Sequence, residues 1–99
     1  MTFYPGAGFA ENAAVQIHDF AFSPPNLTVK AGTTVTWANQ DDIPHNIVST
    51  EKKFSSPVLD TDQHFSFSFK EPGAYLYYCK IHPKMTGTVI VEKDAGGIA

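Results

Sequence analysis

Apolar and polar residues alternate with a period of two along much of the chain, most clearly beyond its midpoint. Phe65, Phe67 and Phe69 alternate there with Ser66 and Ser68. Because successive side chains of a β-strand point to opposite faces, the aromatic rings should lie on one face and the hydroxyl groups on the other. The pattern predicts a strand that buries one face in a core and leaves the other face exposed.

Several other short apolar stretches have a similar character. They cover residues 15–22, 27–29, 34–37, 47–49, 74–79 and 88–91. Proline and glycine, which mark turns, lie between most of them, and no stretch has a convincing helical period. About seven short strands at close spacing predict an all-β fold, a sandwich of two sheets packed face to face. The stretch 51–63 is the least regular and predicts a loop or one short helical turn.

The length and the composition indicate a single folded domain. A chain of 99 residues has the size of one domain, and a second independent core is not expected. Its content of 42% hydrophobic and 13% aromatic residues is that of a packed protein rather than a disordered one. We therefore expect one domain over residues 1–99, with loose ends at 1–12 and 94–99.

The charge pattern makes nucleic acid an unexpected partner. Ten acidic residues outnumber seven lysines, and the chain has no arginine, on which recognition of phosphates and bases relies heavily. No apolar run approaches the roughly 18 residues of a membrane span. Residues 1–9 lack a basic segment followed by an apolar one, so no export signal is visible in them. We expect a chain that does not insert into a membrane.

Three potential metal ligands lie close together near the C-terminal end of the chain, namely Cys79, His82 and Met85. A lone cysteine is more often a buried apolar residue, and a lone methionine usually belongs to the core. At this spacing they offer a thiolate, an imidazole and a thioether, a donor set that favours copper over calcium and magnesium. The single cysteine disfavours a binuclear copper centre, whose bridging needs two, but zinc could bind the same donors.

A blue-copper site needs two histidines and one cysteine in a trigonal arrangement, with a weak methionine ligand on the axis. His45 is the best candidate for the second histidine, because it follows Pro44 and a polar turn at the start of a predicted strand. In a sandwich, the loop after Cys79 can reach the same end. His18 and His64 lie in no ligand pattern, and we expect them to be surface or otherwise satisfied residues. The predicted metal ligands are His45, Cys79, His82 and Met85.

The same residues carry a family resemblance. The motif consists of Pro44, His45 and Asn46 and, much later, of Cys79, His82 and Met85. It resembles the ligand motif of the cupredoxins, the type 1 blue copper proteins, and is most similar to the amicyanin and plastocyanin-like groups. The short ligand loop resembles that of the amicyanin group, because plastocyanin-like proteins generally have a longer spacing between the histidine and the methionine. The resemblance implies a Greek-key β-sandwich of seven to eight strands with one copper ion, Cu(I) or Cu(II). It also implies three equatorial ligands, His45, Cys79 and His82, and an axial Met85.

The resemblance further implies that the backbone N–H of Asn46 points at the cysteine sulfur. Two residues of the ligand loop depart from the amicyanin pattern. Lys80 stands where the family usually has Thr or Ser, which puts the usual hydrogen bond from that hydroxyl group to Asn46, and the rigidity of the loop, in question. Lys84 lies beside the expected exposed edge of His82, so a partner with an acidic or mixed surface is expected.

The function predicted from the resemblance is single-electron transport between redox proteins, which dock transiently near His82. We expect a monomer that is exported to the periplasm, as cupredoxins typically are. We do not expect an enzyme, because four ligands leave no open coordination position. Two alternatives stay open. One is a copper storage or delivery protein, which must release its ion to an acceptor, and the other is an enzyme, either a cysteine hydrolase using Cys79 or a copper oxidase.

Overall fold

The structure is a computed structural model and describes residues 12–93. The expected loose ends, 1–12 and 94–99, lie outside the described residues except for Asn12, which begins the first strand. Within residues 12–93 there are eight strands and no helix. The strands are β1 (Asn12–His18), β2 (Ala21–Ser23), β3 (Asn26–Lys30), β4 (Thr33–Asn39), β5 (Val48–Ser49), β6 (His64–Phe69), β7 (Gly73–Tyr78) and β8 (Thr86–Glu92). The predicted all-β class is confirmed.

The strands form two sheets that pack face to face. One sheet has the order β2-β1-β4-β6 and the other has the order β3-β8-β7-β5. The pairs β1–β4 and β3–β8 are parallel, and all other pairs in the two sheets are antiparallel. After β4 the chain moves between the sheets at each step as far as β7. The first residue of β5, Val48, pairs with the last residue of β7, Tyr78. The long connection from β4 to β5 and the loop from β7 to β8 therefore lie at the same end of the sandwich.

The alternation of phenylalanine and serine in β6 places the two residue types on opposite faces of the strand, as predicted. Phe69 is buried and the two preceding phenylalanines of β6 are partly buried, while Ser66 and Ser68 are exposed. On that outer face, the hydroxyl group of Ser68 is hydrogen-bonded to that of Thr34, and the hydroxyl group of Ser66 to that of Thr36. Each pair lies directly opposite across β4 and β6. Cross-strand pairs of this kind fix the register of a sheet.

The predicted strand over residues 15–22 is wrong in one respect, because two strands lie there. Asp19 and Phe20 form a two-residue hairpin turn between β1 and β2, and both have left-handed backbone angles, with φ of 56° and 59°. Such turns normally contain Asn, Asp or Gly, which tolerate positive φ. A phenylalanine in this position gives no turn signal, so apolar residues on both sides of the turn read as one strand, although their alternation shifts from positions 15 and 17 to positions 20 and 22.

The irregular stretch 51–63 is a loop without a helical turn. Two isolated backbone pairs hold it against β5 and against the connection that precedes β5. Ser55 pairs with Val48, and Leu59 pairs with His45. The two side chains of this stretch that lie deepest in the core are Phe54 and Leu59. The loop therefore acts as an additional wall of the core, which explains its apolar residues.

Aromatic rings fill the space between the sheets. Trp37 is fully buried, and its ring centroid lies 5.3 Å from that of Tyr77 on the opposite sheet and 5.6 Å from that of Phe54. Tyr77 in turn faces Gly87 directly across the β7–β8 pair. A Cβ atom at Gly87 would lie only 2.4 Å from the end of the tyrosine ring. The absence of a side chain at Gly87 is thus what lets the ring lie flat over the neighbouring strand.

We predict that Gly87→Ala lowers the free energy of unfolding by about 1–3 kcal/mol, the usual cost of overpacking a core. The ring of Tyr77 cannot move aside, since it is 1% exposed and lies against Trp37 and Phe22. Urea unfolding of the metal-free chain measures the effect. In a Tyr77→Leu background the same substitution should cost clearly less, and an equal cost in both backgrounds would contradict the proposed clash.

Candidate metal centre

Three of the four predicted donors come together at one end of the sandwich. The ligand atoms of His45, Cys79 and His82 all lie within 4.8 Å of one another. The sulfur of Cys79 is 3.7 Å from Nδ1 of His45 and 3.9 Å from Nδ1 of His82. A metal at roughly 2.3 Å from a thiolate and about 2.0 Å from an imidazole nitrogen separates the two by about 3.7 Å at trigonal angles. The arrangement of the donors thus fits one metal ion.

The loop between β7 and β8 carries the cysteine at its start and the methionine at its end. Cys79 follows the last residue of β7, and Met85 precedes the first residue of β8. The backbone N–H of Cys79 donates to the carbonyl of Met85 at 3.0 Å, and the N–H of Met85 donates to the carbonyl of His82 at 2.9 Å. Met85 itself is buried. These bonds close a short loop and keep the backbones of Cys79, His82 and Met85 close together.

His45 reaches the site from the connection between β4 and β5. Its backbone N–H donates to the carbonyl of Leu59 at 3.1 Å, and the N–H of Leu59 donates back at 2.7 Å. Its imidazole is fully buried, as is the sulfur-bearing side chain of Cys79, whereas His82 is partly exposed. The site therefore has one edge that faces solvent, and His82 supplies it.

The hydrogen bond predicted at the cysteine sulfur is present. The backbone N–H of Asn46 donates to the sulfur of Cys79 at 3.5 Å. The lysine at position 80 does not leave Asn46 unsupported, because the backbone N–H of Lys80 donates to the side-chain oxygen of Asn46 at 2.8 Å. A backbone group thus ties the two loops together without a hydroxyl side chain at position 80. Bonds to a ligand sulfur adjust its electron density and hence the reduction potential of a bound metal.

Asp41 is a functional residue that the sequence analysis missed. Its Oδ2 lies 2.8 Å from Nε2 of His45, so the imidazole donates an N–H to the carboxylate and keeps Nδ1 free for a metal. The carboxylate also accepts the backbone N–H groups of Asp19 at 2.6 Å and of Phe20 at 3.0 Å. A carboxylate behind a metal-bound histidine fixes the orientation of the ring and raises its basicity. The one sign of this role in the sequence is that Asp41 lies four residues before the candidate ligand His45.

Hydrogen bonding keeps this carboxylate ionised. Burial raises the pKa of Asp41, but the backbone hydrogen bonds from Phe20 and Asp19, together with His45, outweigh it and bring the pKa below its ordinary value of 3.8. Asp41 therefore accepts hydrogen bonds as an anion at neutral pH. Because the folded-state pKa is depressed, this stabilisation is complete above the unfolded-state pKa and is lost as the pH falls through the lower, folded-state value.

The other two histidines do not join the site. The side chain of His18 is 71% exposed, and its Nδ1 lies 3.9 Å from the carboxylate of Asp41 rather than near the sulfur. His64 is exposed at the start of β6. Across residues 12–93, His45, Cys79 and His82 form the one group of three or more such side chains that could bind a metal ion.

The fold and this donor set define a type 1 copper protein, and comparison with known proteins agrees. The sequence profile of the copper-binding proteins of the plastocyanin/azurin family matches residues 10–92, so the chain belongs to that family. It is a cupredoxin that binds one copper ion and transports single electrons. Both the predicted family and the predicted cofactor are confirmed.

Three similar proteins illustrate the relationship. Amicyanin-alpha of Methylorubrum extorquens is 39% identical over 88 residues, which cover 84% of this chain and 74% of that protein. The structure of a purple cupredoxin from Nitrosopumilus maritimus superposes with a TM-score of 0.76 at 39% identity, covering 81% of this chain and 99% of that one. A copper-containing nitrite reductase from Thermus scotoductus matches with a TM-score of 0.78 at 29% identity over 83% of this chain, but only over 22% of its own chain.

We predict that Asp41→Ala lowers the affinity for copper by about 10- to 100-fold, the usual effect of losing a partner behind a metal ligand. The imidazole of His45 would then lack an acceptor for its Nε2–H and would be free to change its tautomer. Competition with a chelator measures the affinity. Asp42→Ala is a matched control, since Asp42 is the adjacent exposed aspartate. Equal affinities for the two variants would contradict the role assigned to Asp41.

Proposed function

We propose that Nδ1 of His45, Nδ1 of His82 and the sulfur of Cys79 would hold the copper ion, and that the sulfur of Met85 would be a fourth, weaker ligand. The observation that carries this proposal is the pair of sulfur-to-nitrogen distances, 3.7 and 3.9 Å, which suit trigonal coordination of a single ion. The mixed set of thiolate, imidazole and thioether donors is the one that copper prefers.

When bound, copper supplies a change of one electron between two oxidation states. The protein's contribution is a set of ligands that stays in place during that change. His45 is held by Leu59 through its backbone and by Asp41 through its ring, while Cys79 is held by Asn46 and by the closed ligand loop. Complete burial of His45 and Cys79 also keeps water away from the metal. A ligand set that does not move suits rapid electron transfer.

We propose that the protein is a carrier and not an enzyme. The fold alone does not decide this, since it also forms part of a nitrite reductase. The four proposed donors leave no coordination position for a substrate, whereas catalytic metal sites keep one open. A storage or delivery role is also disfavoured, because three of the four proposed ligands, His45, Cys79 and Met85, are buried and do not offer the copper ion to an acceptor.

We propose that redox partners dock on the solvent-facing edge of His82. Phe20 is 53% exposed and Ile81 is 44% exposed, and together with Pro83 they give this edge an apolar surround. Lys80 and Lys84 are exposed on the same loop, and within residues 12–93 neither makes an ion pair. A small apolar patch suits a transient encounter, and its flanking positive charges suit a partner with an acidic or mixed surface.

We further propose a periplasmic monomer with a single domain over residues 1–99. One continuous core lies between the two sheets of residues 12–93, which supports a single domain. The cupredoxin family resemblance supports a location outside the cytoplasm. In the described part of the chain, no helix is long and apolar enough to cross a membrane.

We predict that the copper-loaded chain has an intense visible absorption from thiolate-to-copper charge transfer and that it cycles reversibly by one electron per copper ion. Cys79→Ser should lose this absorption, because the transition belongs to the thiolate. His64→Ala is the control, since this histidine lies outside the site, and it should keep the colour. Absorption spectroscopy of the oxidised, Cu(II)-loaded protein and voltammetry measure the two properties, and a colourless Cu(II)-loaded protein would contradict the proposal.

A second prediction concerns the charge around His82. At low salt, the double variant Lys80→Glu and Lys84→Glu should react about 3- to 10-fold more slowly with an anionic oxidant such as ferricyanide, because local positive charge steers anions. It should react faster with a cationic cobalt(III) phenanthroline complex, and salt should reduce both effects. Lys70→Glu is the control, since Lys70 follows β6 at the opposite end of the sandwich. Equal changes in all variants would contradict docking at His82.

A further inference from the structure

Phe20 occupies a position that the backbone makes unfavourable for a phenylalanine. It is the second residue of the two-residue turn between β1 and β2, and its φ is 59°. Glycine or asparagine is the usual residue there, because a bulky side chain is strained in the left-handed region. The ring is also 53% exposed, so burial in the core does not explain it. A strained residue that persists in a structure suggests a functional role.

The ring of Phe20 contacts both histidines of the metal centre. Its centroid lies 5.7 Å from that of His45 with an interplanar angle of 86°, and 5.3 Å from that of His82 with an angle of 83°. Edge-to-face pairs with centroids about 4.5–7 Å apart are the favourable arrangement for aromatic rings. One side of the Phe20 ring therefore lies against the two imidazoles, and the other side faces solvent.

The backbone of the turn is fixed by the group that also orients His45. The carboxylate of Asp41 accepts the N–H groups of Asp19 and Phe20 and the ring N–H of His45. The position of the Phe20 ring is therefore linked to that of the buried histidine. His82 differs from His45, because it is partly exposed and lies in the loop between β7 and β8. The ring of His82 therefore gains more from an additional contact than the ring of His45 does.

We propose that Phe20 is a positioning residue of the copper centre. Its ring packs edge-to-face against His82 and restricts the rotation of that imidazole, so that Nδ1 stays directed at the metal in both oxidation states. The same ring covers one side of each histidine and limits the access of water to the copper from that side, while another edge of His82 stays exposed. This inference rests on the proposed ligand set, and it adds a residue that binds no metal itself.

Phe20→Gly separates the role in the site from a role in folding. Glycine suits the left-handed turn, so the metal-free full-length variant should resist urea at least as well as the unsubstituted chain. The copper-loaded variant should nevertheless lose Cu(I) to a chelator about 10-fold faster, in line with the loss of other outer contacts of a metal site. Its visible absorption bands should change in relative intensity, because the imidazole is free to turn.

Two further variants keep the test decisive if Phe20→Gly folds poorly. Phe20→Tyr keeps an aromatic ring and should retain the spectrum and the rate of copper loss, whereas Phe20→Leu keeps apolar bulk without a ring and should resemble the glycine variant. Leu76→Ala controls for loss of an exposed apolar side chain, since Leu76 is 54% exposed on β7. The ring protons of His82 in the Cu(I) protein should also shift in the NMR spectrum when the neighbouring aromatic ring is removed.

The outcomes distinguish this inference from the function on which it rests. A coloured, redox-active protein in which the glycine and leucine variants match the unsubstituted chain in spectrum and copper loss would overturn the role of Phe20 alone. An unsubstituted chain without thiolate-to-copper absorption would overturn the proposed ligand set and this inference with it. Faster copper loss and altered bands in the glycine and leucine variants, with the tyrosine variant unchanged, would support it.

Discussion

The metal centre depends on a hydrogen-bonded junction between two loops that belong to different parts of the chain. The side-chain oxygen of Asn46 accepts the backbone N–H of Lys80 at 2.8 Å, and the backbone N–H of Asn46 donates to the sulfur of Cys79 at 3.5 Å. These bonds join the connection after β4 to the loop after β7. Without the junction, His45 and Cys79 would belong to two independent loops at the end of the sandwich. Because one of its hydrogen bonds ends on the sulfur of Cys79, the junction links the rigidity of the site to the electron density of the proposed thiolate ligand.

Asp41 extends this junction to the β1–β2 hairpin. One ionised carboxylate accepts hydrogen bonds from the turn at Asp19 and Phe20 and from the ring of His45, so hairpin, ligand and metal are energetically coupled. A metal ion that binds the folded chain more tightly than the unfolded chain stabilises the folded state. Copper should therefore stabilise the hairpin turn as well as the ligand loop, although no residue of the turn is a proposed ligand.

The sequence was sufficient for the features that local patterns encode. Alternation identified β6 and its outer serines, and the spacing in the loop after β7 singled out Cys79 and His82, which the structure places beside His45. The hairpin turn was missed because Phe20 takes a backbone conformation that its residue type disfavours, and the interaction that stabilises it comes from Asp41, 21 residues further along the chain. The role of Asp41 was not predicted, although His45 is only four residues away, because its other two partners are backbone N–H groups of the hairpin turn, 21 and 22 residues earlier in the chain.

The two histidines differ in burial, and this difference bears on where an electron can enter the site. The imidazole of His45 is bonded to Asp41 through Nε2, and its Nδ1 faces the sulfur of Cys79. Because the residue is fully buried, it offers no surface to a partner. His82 is partly exposed, so it is the proposed entry point for the electron, and it is less enclosed by protein than His45. An exposed ligand must stay ordered for the copper to keep its geometry when the electron arrives. The strained turn at Phe20 meets these two needs together, because its ring restricts the histidine from the side while leaving the edge available for docking.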